Sequence, residues 1–99
     1  MNVTIQSLHF TAKKELTDFV TEKVNKLVHI YYKIDAAQVC LKLEKSDVND
    51  NKICEIRLVV PGNDLFAKRQ SATFEDAVNE AIDALQQQIK KIKTKLYNH

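Results

Sequence analysis

Four of the six residues from 90 to 95 are lysines, Lys90, Lys91, Lys93 and Lys95, and no acid stands among them. A cluster of ammonium groups this dense makes or breaks no bonds by itself; it binds a polyanion, each lysine neutralising a phosphate and releasing counterions. Glu75, Asp76, Glu80 and Asp83 crowd the other end of the same segment. Part of that polarity serves a helix on its own account, because acids near an N-terminus and cations near a C-terminus complement the macrodipole. The dipole effect fades within about one turn, yet Lys90 lies well inside the segment, and closely spaced lysines repel one another. An anionic partner relieves that repulsion.

No other set of residues competes as a reactive centre. Cys40 and Cys54 lack CxxC spacing, His9, His29 and His99 are scattered, and there is no Gly-rich phosphate loop. No histidine is tied by spacing to a Ser or Cys nucleophile, and the acids lie as solvated faces. We therefore expect a binding protein, not an enzyme, with no metal, cofactor or small-molecule substrate. Net charge is only +2, so any surface for nucleic acid must come from uneven distribution.

The elements that position the lysines follow from periodicity. From Thr73 to Tyr97, apolar residues recur at Phe74, Ala77, Val78, Ala81, Ile82, Leu85, Ile89, Ile92 and Leu96, the stripe of a helix packed on a core. Thr73 is its expected N-cap, with Asp76 placed to answer as a capping-box acid. Asn2 to Leu8 alternates as a half-buried strand. A first helix runs from about Thr11 to Tyr31, its start at Thr11 or Lys13, on the stripe Leu16, Phe19, Val20, Val24, Leu27 and Tyr31. Lys26 and Lys33 lie on one flank of it, with Lys23 at the border and Glu22 diluting the charge.

Ile34 to Lys45 and Lys52 to Val60 return to period two and form a hairpin across Asp47 to Asp50. A four-residue turn sets Leu43 opposite Cys54, Lys42 opposite Glu55 and Cys40 opposite Arg57. Cys40 and Cys54 then face opposite sides of the sheet, where no disulfide closes. Pro61-Gly62-Asn63-Asp64 is a turn, and a fourth strand follows from Leu65 to about Ala72, with Lys68 and Arg69 as a second basic site or as protection of an edge strand. The expected fold is α+β, a β-α-β-β-β-α two-layer sandwich. It has a four-stranded mixed sheet with two parallel helices on its one apolar face. Both helix C-termini then share one edge, bringing Lys26 and Lys33 to the side of Lys90, Lys91, Lys93 and Lys95. The second helix, at roughly 36 Å, should overhang strands of about 26 Å.

One Gly, one Pro and 44% hydrophobic residues in 99 predict a single domain over residues 1–99. No basic leader precedes an apolar run, and no stretch of ~20 apolar residues occurs, so the expected location is cytoplasmic with no membrane partner.

The opening NVTIQSLHF, the stretch FVTEKVNKLVHIYYKI, the strand VCLKLEKS, the segment PGNDLFAKRQSATFEDAVNEAIDAL and the closing QQQIKKIKTKL together resemble the bacterial ribosome hibernation promoting factor family, also called protein Y or ribosome-associated inhibitor. The resemblance implies the same β-α-β-β-β-α fold, related in shape to double-stranded RNA-binding domains. It also implies binding in the tRNA and mRNA channel of the small ribosomal subunit during stationary phase or stress. The implied partners are ribosomal RNA and neighbouring ribosomal proteins, and the free protein is expected to be a monomer. Family basic positions kept here are Lys23, Lys26, Lys33, Lys91, Lys93 and Lys95, while Lys90 adds a charge where the family varies. Ile92 replaces a frequent His, and Gln87 stands where Arg is common. A chain ending at His99 resembles the short form, without the module that pairs ribosomes.

The alternatives are a general structured-RNA-binding domain, or a protein-interaction domain using Ile92, Leu96 and Tyr97 of the C-terminal helix. A module that stacks bases on its open sheet is disfavoured, because the expected outer face of Thr4, Gln6, Cys40, Lys42, Glu44, Glu55, Arg57 and Lys68 holds Phe66 as its lone aromatic.

Overall fold

The computed structural model describes residues 2–45 and 49–97. The element order is β1 (Asn2–Leu8), α1 (Lys14–Ile30), β2 (Ala36–Leu43), β3 (Lys52–Val59), β4 (Leu65–Ser71) and α2 (Phe74–Tyr97). The strands form one sheet in the order β1-β2-β3-β4, with β1 parallel to β2 and the other two pairings antiparallel. This is the expected α+β arrangement, and strands β1, β2 and β4 run in one direction.

Alternation decides which face the helices cover. Val39 and Leu41 of β2, Cys54, Ile56 and Leu58 of β3 and Ala67 of β4 point to one side and are buried there. Val20, Val24 and Leu27 of α1 close over them with Ala77, Val78, Ala81, Ile82, Leu85 and Ile89 of α2. Each large side chain removed from water contributes roughly 1.5–3 kcal/mol, so this layer holds both helices to the sheet. Among the described side chains of α2, Ile89 is the last that is buried, and Ile92 is only partly covered. The lysine-rich turns therefore extend past the core, in a molecule measuring 50 × 24 × 19 Å.

Helix starts are resolved locally. Lys13 is the N-cap of α1 and makes no side-chain cap bond; its carbonyl accepts from the N–H groups of Leu16 and Thr17 at 3.0 and 3.1 Å. Thr73 caps α2 as expected, its Oγ1 accepting from the Asp76 N–H at 3.0 Å. The return bond of a capping box, from the Thr73 N–H to the Asp76 carboxylate, is absent among the described residues. Gly62 takes φ 92 in the turn after β3, a conformation that side-chain-bearing residues rarely adopt.

The hairpin register differs from expectation by two residues. Leu43 pairs with Lys52, Lys42 with Ile53, Leu41 with Cys54 and Cys40 with Glu55. Glu44 donates to the Asn51 carbonyl at 2.9 Å, so six residues, Lys45 to Asp50, connect the strands where four were expected. A slip of two keeps every side chain on its own face, so the hydrophobic pattern is equally satisfied by both registers. The Asp47 to Asp50 turn lies partly outside the described residues.

Candidate nucleic-acid interface

The two helices run the same way, and their C-terminal ends meet. The Lys93 ammonium donates to the Ile30 carbonyl oxygen at 3.0 Å, which seats the end of α1 directly against the lysine-rich turns of α2. Carbonyls of a last helical turn have no intrahelical partner, and a lysine reaching them satisfies both the lone pairs and the negative end of the dipole. Around this joint Lys90, Lys91 and Lys95 are exposed, while Lys33 is half-buried in the turn after α1.

The sequence-derived basic residues separate into groups. Lys90, Lys91 and Lys95 project from the overhang with no ion pair among the described residues. Lys93, half-buried, is held by Ile30. On α1, Lys26 lies 3.9 Å from Glu22, both well exposed, a pair worth little in water. Lys23 sits 5.4 Å from the centroid of the Phe19 ring, so its stem covers apolar surface. Asp18 and Glu22 share a shallow groove with Lys26 and His29, which makes this flank mixed rather than basic.

Lys68 and Arg69 do not form one site. Successive strand residues face opposite sides, so Lys68 lies across from Glu55 on the open sheet face and Arg69 across from the core-facing Cys54. Arg69 also donates to the Lys68 carbonyl at 2.8 Å. Gln88 of α2 donates to the Phe66 carbonyl at 2.9 Å, so the lysine-rich turns that follow Gln88 extend beyond the Leu65 end of β4, away from Lys68.

The open face carries Thr4, Gln6, Gln38, Cys40, Glu55, Arg57 and Phe66 around a polar cavity of about 300 Å³. Arg57 lies 5.4 Å from the Phe66 ring centroid and 3.8 Å from Asp64, so the lone aromatic there is already covered by a cation. At the other end of the helices Phe10 and Phe74 stack at 4.4 Å beside Leu16 and Phe19. Cys54 is wholly buried, and desolvation pushes its thiol up to about 12, while Cys40, half-exposed on the opposite face, is raised by partial burial and then by Glu55. A thiolate is thus disfavoured at both positions. No group of three or more His, Cys, Asp or Glu residues among the described residues is placed to hold a metal ion, and no described helix is long and apolar enough to cross a membrane.

Sequence reasoning did not foresee one feature of this end. The Lys93 partner is 63 residues away, and no local pattern announces it. Tyr31, on the expected stripe of α1, is 7% exposed, and its neighbour Tyr32, which leaves that stripe, is 81% exposed.

The geometry defines a class of two-layer α+β domains in which two parallel helices cover one face of a four-stranded mixed sheet in the order β-α-β-β-β-α. Within that class the chain belongs to the Sigma 54 modulation protein / S30EA ribosomal protein family, which it matches over residues 3–97. It is 30% identical over 99 residues to a ribosome hibernation promoting factor of Klebsiella oxytoca, covering all of this chain and 98% of that one. A ribosome hibernation promoting factor of Pseudomonas putida is 32% identical over 95 residues, 96% of this chain and 89% of the relative. Among solved structures, a ribosomal subunit interface protein from Coxiella burnetii superposes with a TM-score of 0.84 at 17% identity, over 95% of this chain and 99% of that one. The N-terminal domain of Protein Y from Thermus thermophilus gives 0.78 at 22% identity, over 93% and 99%. These two likenesses establish the fold, and it agrees with the expected element order.

Proposed function

We propose that the chain is a non-enzymatic ribosome hibernation factor that docks in the tRNA and mRNA channel of the small ribosomal subunit and holds ribosomes inactive under stress or in stationary phase. The observation that carries this reading is the convergence of both helix C-termini on one overhanging end bearing Lys90, Lys91 and Lys95, with Lys33 beside them. Ribosomal RNA is a polyanion whose grooves a folded domain occupies through phosphate contacts without reading bases. Lys26 and Lys23 border that end, Lys93 shapes it, and Lys68 and Arg69 contribute at a distance. Membership of the family and the names of its relatives support the ribosome as partner.

Co-sedimentation with purified small subunits across a salt series tests it. Wild type is expected to pellet stoichiometrically at low salt, losing roughly a thousandfold in affinity toward moderate salt if about six phosphates are engaged. Changing Lys90, Lys91 and Lys95 together to Glu should abolish binding while leaving the core intact. A wild-type protein that fails to pellet at low salt overturns the reading.

A further inference from the structure

We propose that Tyr32 is a stacking platform for an unpaired base of the bound RNA, placed at the joint between the C-terminal ends of the two helices; the inference rests on the RNA-binding reading above. Single aromatic residues on a surface need no explanation by themselves, so the position has to supply one. Among the described residues only Tyr32 and Phe66 are large apolar side chains left exposed, Tyr32 at 81% and Phe66 at 42%. Phe66 has its ring covered by Arg57, whereas Tyr32 belongs neither to the ring pair nor to either cation–π pair. Its ring is thus uncommitted on both faces.

Its surroundings point to the chemistry of the ligand. Tyr32 follows Ile30 by two residues, at most about 7 Å of chain, and the Ile30 carbonyl is the group that Lys93 grips. Lys33 is its immediate neighbour in the turn. An open aromatic ring next to Lys33 and close along the chain to the helix end that Lys93 grips matches the composition of a single-stranded RNA contact, with lysines on the phosphates and a ring under the base. Every base has a π-face, so the contact asks for an unstacked nucleotide and not for a sequence. A loop or bulge of structured RNA meets that need, since a nucleotide paired within a helix offers no free face.

The chain has no tryptophan, so Tyr32→Trp introduces a single reporter at the site. With purified small ribosomal subunits as the probe, the Trp should be quenched on binding and shielded from acrylamide. Tyr32→Ala should weaken binding by roughly five- to a hundredfold at every salt concentration, with an unchanged slope of log affinity against log salt, since stacking releases no counterions. Tyr32→Phe should stay within about twofold of wild type, because the ring and not the hydroxyl makes the contact. Tyr32→Leu separates a base from a protein pocket, for it keeps apolar surface and loses the π-face; it should behave as the Ala variant. Full affinity in Tyr32→Leu, wild-type affinity in Tyr32→Ala, or a Trp equally open to acrylamide free and bound each overturns the inference while leaving salt-dependent docking standing. A wild type that does not pellet overturns both.

Discussion

The Lys93 ammonium and the Ile30 carbonyl, 63 residues apart in the chain, meet at 3.0 Å and close the two helices at their C-terminal ends. One lysine of the basic cluster is therefore spent inside the molecule. It satisfies a helix terminus and gives the overhang of α2 an anchor beyond the buried Ile89.

Lys93→Met should consequently lower stability by about 1–2 kcal/mol in urea unfolding, the range for a lost charge-assisted hydrogen bond that is only part-buried. Lys91→Met, on an exposed side chain, should stay within about 0.5 kcal/mol of wild type. Amide exchange of Ile34, which follows the joint, should quicken in the Lys93 variant alone.

The same two variants should part company in binding. On the proposed docking mode, Lys91→Met should remove a phosphate contact and flatten the slope of log affinity against log salt by about one, whereas Lys93→Met should weaken binding with little change of slope. Lys68→Met, on the open face opposite Glu55, should cost less than Lys91→Met at every salt. Equilibrium binding to small subunits at four or five salt concentrations resolves all three.

Thr73→Ala removes the side-chain acceptor of the Asp76 N–H and should destabilise by about 1 kcal/mol, measured by chemical denaturation. Thr73→Ser should retain most of that contribution, because the hydroxyl is kept.

Cys54 should resist thiol reagents in the native protein and react only on unfolding, whereas Cys40 should label first. The sign of the pH effect follows from desolvation. An unfolded Cys54 loses its proton above its ordinary 9.0, whereas the folded thiol holds it to about 12. The unfolded state then binds fewer protons, so the stability owed to this thiol is present below pH 9 and is lost as pH rises toward 12. The stability difference between wild type and Cys54→Ala, read by denaturation at stepped pH, should shrink across that window.

The amino-acid sequence by itself determined the six elements in order, the sheet face that the helices cover, the opposite facing of Cys40 and Cys54, and the polarity of α2, though not that Ile53 is buried on the other face. Periods of 2 and 3.6 are local properties, and residues such as Leu41, Ile56 and Leu85 carry them whatever they pack against. Tertiary structure alone decided the hairpin register, because a slip of two residues leaves every side chain on its own face and the hydrophobic pattern is satisfied by either pairing. It also decided which lysines are free. Lys90, Lys91, Lys93 and Lys95 look alike in the sequence, and Lys93 is set apart only because two helices packed on one sheet bring its ammonium to the unpaired carbonyl of Ile30.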